Sequence, residues 1–263
     1  MTDRGKDKLK RFGFRLGKGG AHSARTIMLR EIEALLSYVN YPNATFDDYK
    51  KAVCQDNCLG KRSWKSRELT FRHLTELYSL DRFTLFRAFL FFWQRQPESR
   101  KLLALLMAFA RDGTLRAGAS TILSQPQGTT LRRETLEKNL DDLEPGRFSK
   151  ATLTSVAQNI NSSFTQSGHL QGRVKKTRAK PQCFAGAVSM ALFLGFLQGA
   201  RGENLFSTAY CSLLDCSSSQ AIEFAEEASR RGWIVCKRAG KIVEVLFPNL
   251  LTSEEMEWIR ESN

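Results

Sequence analysis

Apolar residues recur at helical spacing along most of the chain. Over residues 23–39, Met28, Ile32, Leu35, Leu36 and Val39 fall on one face and predict an amphipathic helix, which Asn40, Pro42 and Asn43 end. Thr45 followed by Asp48 has the form of a capping box that opens a second helix with Tyr49 and Val53 inward. A third helix is expected from Ser63, with Phe71, Leu74 and Tyr78 along one stripe. Two strongly apolar helices follow near 83–93 and 98–110, and Pro97 stands at the start of the second, where its missing N–H costs least. The aromatics of this stretch read as core residues.

The pattern changes after residue 126. A polar helix over 131–143 ends at Pro145–Gly146, and Ser149 is placed to cap a helix running to Gln166 with Leu153, Val156, Ile160 and Phe164 inward. Its outward positions are Lys150, Thr154, Ser155, Gln158, Asn159, Asn161, Ser162 and Ser163, a face without a carboxylate. Asn and Gln match adenine edges and Ser or Thr hold phosphates, so this is a candidate recognition helix. Gly168 supplies a left-handed stop. The segment HLQGRVKKTRAKP (169–181) then reads as a short strand, a glycine turn and a basic wing carrying Arg173, Lys175, Lys176, Arg178 and Lys180. Helix, helix, basic hairpin is the winged-helix order. The tail repeats that grammar: Ser217 or Ser218 caps QAIEFAEEASRR, Gly232 ends it, and WIVCK, RAG and KIVEVLFP form a hairpin. This second helix carries Glu223, Glu226 and Glu227, which repel DNA, so the unit reads as a packing or protein-binding module.

The expected fold class is therefore mainly α: an N-terminal helical bundle followed by winged-helix-like units with short β-hairpins. The expected divisions are a basic arm (1–20), the bundle (21–125), a basic winged-helix-like unit (126–181) and a C-terminal helical unit ending in a second winged-helix-like hairpin (182–263). Length and composition agree: 263 residues, 42% hydrophobic and 25% charged, suffice for one large or two small domains. The apolar run at 184–200 falls short of the roughly 20 residues that span a bilayer. It reads, with the runs near 83–93 and 102–110, as a buried helix. No apolar core follows Met1, and six cysteines without an export signal fit a reducing cytosol.

Charge adds a partner class. Forty Lys and Arg against 27 Asp and Glu give +13, an excess that suits polyanions. Residues 203–263 carry −4 and the preceding part +17, and no acid occurs between Glu144 and Glu203. An acid-free basic segment is what phosphate binding requires. Lys61, Arg62 and Lys65 form a possible second contact. Arg4, Lys6, Lys8, Lys10, Arg11, Arg15 and Lys18 make an arm of the kind that stays disordered until it meets a polyanion. Gly13, Gly17, Gly19 and Gly20 lack the strand and the G-x-x-x-x-G-K-[ST] spacing of a nucleotide loop. Lys18–Gly19–Gly20 before a helix reads either as a holder of a DNA phosphate through backbone N–H groups or as a flexible entry.

Catalytic signals are thin. Cys54 and Cys58, and Cys211 and Cys216, lack the C-x2-C pairing of a strong zinc site and read as small buried hydrophobes. His22, His73 and His169 have no acid at a spacing that suggests a metalloprotease or a relay, and His169 reads as a satisfied turn residue.

Three segments carry a family resemblance: FRLGKGGAHSARTIMLREIEALLSYV, YKKAVCQDNCLGKRSWKSRELTFRHLTELYSLD and FSKATLTSVAQNINSSFTQSGHLQG. With their glycine pair before the first helix, basic–aromatic–SRE start and late Ser/Thr-rich helix ending in a glycine turn, they resemble BrxA, the small helical protein of bacterial BREX phage-defence islands. The resemblance spans roughly residues 12–172. It implies a cytoplasmic, non-enzymatic, DNA-binding accessory protein that works beside other defence subunits. The expected partner is double-stranded DNA, held mainly through backbone phosphates, with no cofactor, no small-molecule substrate and no membrane. Two other readings stand beside it: an assembly scaffold contacting other defence proteins, and an RNA-binding helical protein.

Overall fold

The structure is a computed structural model that describes residues 3–81, 83–240, 242–248 and 250–260. It is mainly helical, 61% helix against 7% strand. The first part holds α1 (Asp3–Phe12), α2 (Leu29–Tyr38), α3 (Phe46–Cys54), α4 (Trp64–Tyr78), α5 (Thr84–Arg95), α6 (Arg100–Arg111) and α7 (Gly113–Leu123). There follow β1 (Thr130–Leu131), α8 (Arg133–Leu143), α9 (Lys150–Gln166), β2 (Leu170–Gln171) and β3 (Lys176–Arg178). The last part holds α10 (Ala185–Leu197), α11 (Ala209–Ser212), α12 (Ser218–Arg230), β4 (Val235–Ala239), β5 (Ile242–Leu246) and α13 (Ser253–Arg260).

Local chemistry explains most of the helix starts. Thr45 and Asp48 form the expected capping box, with Asp48 Oδ2 accepting the Thr45 N–H at 2.8 Å. Ser63, Ser149 and Ser217 cap α4, α9 and α12 by accepting the amides of Ser66, Thr152 and Gln220. Each cap satisfies an N–H that the first helical turn leaves without a partner. The first predicted helix is shorter than its apolar pattern. A 3-10 turn (Ala21–Ser23) and a left-handed Met28 (φ 51°) separate residues 23–28 from α2. Buried Tyr78 holds this bend by donating to the Ile27 carbonyl.

The runs that resemble membrane segments are the interior. Every residue of α10 is buried, and the helix packs on α5, α6, α11 and α12. A helix apolar all round belongs where protein surrounds it. Its first amides find side-chain acceptors on another element: Gly186 N donates to Gln96 Oε1 at 2.6 Å and Ala187 N to Ser99 Oγ at 3.2 Å. No helix among the described residues is long and apolar enough to cross a membrane.

The N-terminal arm is not a free basic tail. Residues 3–12 are helical, and Leu9, Phe12 and Phe14 are buried, Phe12 against Trp258 of α13. Residues 1 and 2 and the side chain of Arg4 lie outside the described residues, as does Lys241 of the predicted second hairpin. That hairpin otherwise forms as expected, β4 antiparallel to β5 with Val235 opposite Leu246. An unexpected helix, α7, arises from a segment containing Gly113 and Gly118. At Gly118 a Cβ would lie 2.7 Å from Ile160 Cδ1, so glycine there lets α9 approach.

Candidate nucleic-acid interface

β3 is the central strand of a small antiparallel sheet in the order β1–β3–β2, with Leu170 opposite Arg178 and Leu131 opposite Lys176. α8 and α9 pack together, and both pack on α7. The β2–β3 hairpin turns at Gly172 (φ 93°), where a Cβ would collide with the Lys175 carbonyl. Arg173, Lys175 and Lys180 are exposed, and none has an acidic partner among the described residues. Lys176 is half-buried and donates to Gly172 O at 2.7 Å, bracing the turn.

Arg178 departs from the sequence reading. It is buried, its guanidinium donates to Asp215 Oδ2 at 2.8 Å and to His169 O at 3.2 Å, and it also donates to Ala179 O. It fastens the hairpin to the loop before α12 and has no face left for a phosphate. His169 is the satisfied turn histidine expected: Nε2 donates to Leu213 O at 2.9 Å, and Nδ1 lies 2.8 Å from Ser167 Oγ. Burial, only partly opposed by the Leu213 carbonyl, draws its pKa down to about 4.

Along α9, Lys150, Ser155 and Gln158 are exposed, and Thr154 and Ser162 half-buried. Asn159 is committed elsewhere, its Nδ2 donating to His22 O at 3.1 Å. Asn161 and Ser163, expected outward, are buried. For Ser163 the reason is a second neighbour: the Ala21–Ser23 turn packs on α9 and brings His22 against it, so the helix is covered on more than its apolar stripe.

That neighbour brings three distant residues together. His22 Nδ1 lies 2.9 Å from Asp112 Oδ2 and its Nε2 lies 2.8 Å from Ser163 Oγ. The sequence spacing of the histidines conceals this contact, which spans 90 positions on one side and 141 on the other. The connectivity is that of a serine–histidine–aspartate triad, but its chemistry is structural. Ser163 Oγ also accepts the Ile27 amide at 3.0 Å and donates to Asn159 O at 2.8 Å. Three polar neighbours thereby surround the hydroxyl. All three side chains are at most 1% exposed, so a substrate carbonyl has no approach.

Lys18 is exposed, its Nζ 3.4 Å from Glu144. Lys61 pairs with Glu31 at 3.1 Å, while Arg62 and Lys65 are exposed at the start of α4. α4 makes its main contacts with α3, α6 and the Ala21–Ser23 turn. The paired cysteine spacings do not converge; the free thiols of Cys216 and Cys183 instead share a hydrogen bond, which lowers the Cys216 pKa and raises the Cys183 pKa. Among the described residues no group of three or more His, Cys, Asp or Glu is arranged to hold a metal. Compared with known proteins, the chain matches no family model and no curated sequence.

Proposed function

We propose that the chain binds double-stranded DNA through backbone phosphates, as a non-enzymatic accessory protein of a BREX-type anti-phage system. One observation carries the reading: three exposed cations without acidic partners, Arg173, Lys175 and Lys180, adjoin a helix whose exposed positions Lys150, Ser155 and Gln158 include no carboxylate. The order α7–β1–α8–α9–β2–β3, with β3 central, supports a winged-helix reading. In it α9 lies over the major groove and the β2–β3 hairpin is the wing. The resemblance to BrxA in the three sequence segments supports the biological setting. Few arginines on α9 mean weak base readout, so affinity is mainly electrostatic.

The test is fluorescence anisotropy of unrelated duplexes across a salt series, with Arg173→Glu/Lys175→Glu beside the parent. The expected result is a log-linear fall with salt, little difference among sequences, and a slope reduced by about 1.8 in the double variant. Unchanged affinity in that variant refutes the wing assignment, and preference for RNA duplexes of equal length replaces DNA as the partner. A scaffold role rests on a separate feature. Ile242 (75% exposed) and Leu246 (43%) project from one face of β5 and suit an apolar contact with another subunit. Loss of co-purification in Ile242→Asp with DNA binding intact assigns that role to the second hairpin.

A further inference from the structure

The glycine-rich segment ahead of the Ala21–Ser23 turn is held in one conformation by its carbonyls. Gly17 O accepts from Arg116 Nη2 at 3.1 Å, Lys18 O from Arg147 Nη2 at 2.7 Å, and Gly19 O from Gly113 N at 3.0 Å. In a planar trans peptide the C=O of one residue and the N–H of the next point in opposite directions. The amides of Lys18, Gly19 and Gly20 are therefore turned away from α7 and Arg147. Among the described residues none of the three has a hydrogen-bond acceptor.

Gly17, Gly19 and Gly20, on either side of Lys18, line a cleft of about 310 Å³ together with Arg15, Arg72 and Glu76. Arg15, Ser23 and Arg72 are exposed at it. The one carboxylate, Glu76, is engaged by His73 Nδ1 at 3.2 Å. The glycines divide by cause. A Cβ on Gly20 would overlap the Asp112 carboxylate, and one on Gly113 would overlap the Gly17 carbonyl, so both are glycine for packing. Gly17 and Gly19 have no left-handed φ, and a Cβ on either meets nothing within 4 Å. Neither backbone conformation nor the fold asks for glycine there, whereas a ligand pressed against the backbone does.

We propose that this cleft is a phosphate site, in which the amides of Lys18, Gly19 and Gly20 and the side chains of Arg15 and Arg72 hold one backbone phosphate of the bound duplex. Backbone amides without an internal acceptor are ready donors to an anion, and two guanidinium groups supply the charge. The site adjoins α9: Arg147, just before that helix, holds the Lys18 carbonyl, and Asn159 within it holds the His22 carbonyl. The choice of a nucleic-acid phosphate rests on the DNA-binding reading above; the anion chemistry of the cleft does not.

Two measurements separate the two. First, inorganic phosphate is titrated into the ¹⁵N-labelled full chain. Saturable shifts of the Lys18, Gly19 and Gly20 amides that vanish in Arg72→Ala support the cleft, and their absence overturns it. Second, duplex affinity is measured for Gly19→Val and Arg72→Ala, with thermal melts of each. Gly19→Val puts its side chain in open space, so its melting temperature stays that of the parent while DNA affinity falls about three- to tenfold, and Arg72→Ala lowers the salt slope by about 0.9. Parent-like affinity in both variants refutes the assignment to a DNA phosphate. If the parent binds no duplex at low salt, the DNA-binding reading fails and the phosphate titration alone decides the cleft.

Discussion

Asp112→Ala is the sharpest test of how the helices around α9 are held. The carboxylate is 1% exposed and accepts three hydrogen bonds: from His22 N at 3.0 Å, from His22 Nδ1 at 2.9 Å and from Leu115 N at 2.9 Å. Losing the last removes the N-cap of α7, about 1 kcal/mol. Losing the other two leaves a buried imidazole and a buried amide without acceptors, about 1–3 kcal/mol each. The bonds share one carboxylate, so the losses overlap, and the expected total is about 4 kcal/mol. For a chain of this size that lowers the melting temperature by about 8–16 °C. Burial works to raise the Asp112 pKa, but the His22 ring and the donated amides outweigh it and hold the carboxyl below its usual value. With the folded pKa below the unfolded one, the stabilisation is present above the unfolded value and lost as pH falls through the folded value. The parent therefore weakens with acid below about pH 4, and the variant lacks that component. Urea unfolding followed by tryptophan fluorescence reads both effects. A loss under 1 kcal/mol, or an acid limb identical in parent and variant, would refute the reasoning.

Three further outcomes are expected. Arg178→Ala removes buried bonds to Asp215 and His169 and lowers stability by about 3 kcal/mol, whereas Lys175→Glu leaves the melting temperature unchanged; equal melts would show that Arg178 is not structural. His169, with its folded pKa drawn to about 4 against 6.5 for the free side chain, contributes stability that is complete above pH 6.5 and declines between 6.5 and 4, by up to about 3 kcal/mol; His169→Gln abolishes that limb in a pH series of melts. Phe193→Ala in fully buried α10 costs about 3–5 kcal/mol, read by chemical denaturation, and a loss under 1 kcal/mol would mean that α10 is not the packing centre.

The candidate interface was partly legible in the sequence. The hairpin and the helix before it follow from a capping serine, a period of apolar residues and a terminal glycine, all local signals. Which cation of the hairpin turns inward was not legible. Arg178 and Lys180 share a strand parity, and only Asp215, brought up by the loop before α12, selects Arg178. The polar face of α9 is narrower than its sequence implies for the same reason, since Ser163 looks like a solvent position until His22 of the Ala21–Ser23 turn covers it.

By itself the sequence determined the elements whose causes lie within a few residues. These are the capped helices α3, α4, α9 and α12, the apolar helices α5, α6 and α10, the glycine-ended hairpins and the asymmetry of charge. Tertiary structure alone decided the rest. α1 reads as a basic arm until Trp258 covers Phe12. α7 has no helical pattern of its own in the sequence and forms where α9 packs at Gly118 and Asp112 caps it. The His22–Asp112–Ser163 network has no signature along the chain. Propensity and capping act over one turn of helix, whereas burial and buried hydrogen bonds join residues that only the folded chain makes neighbours.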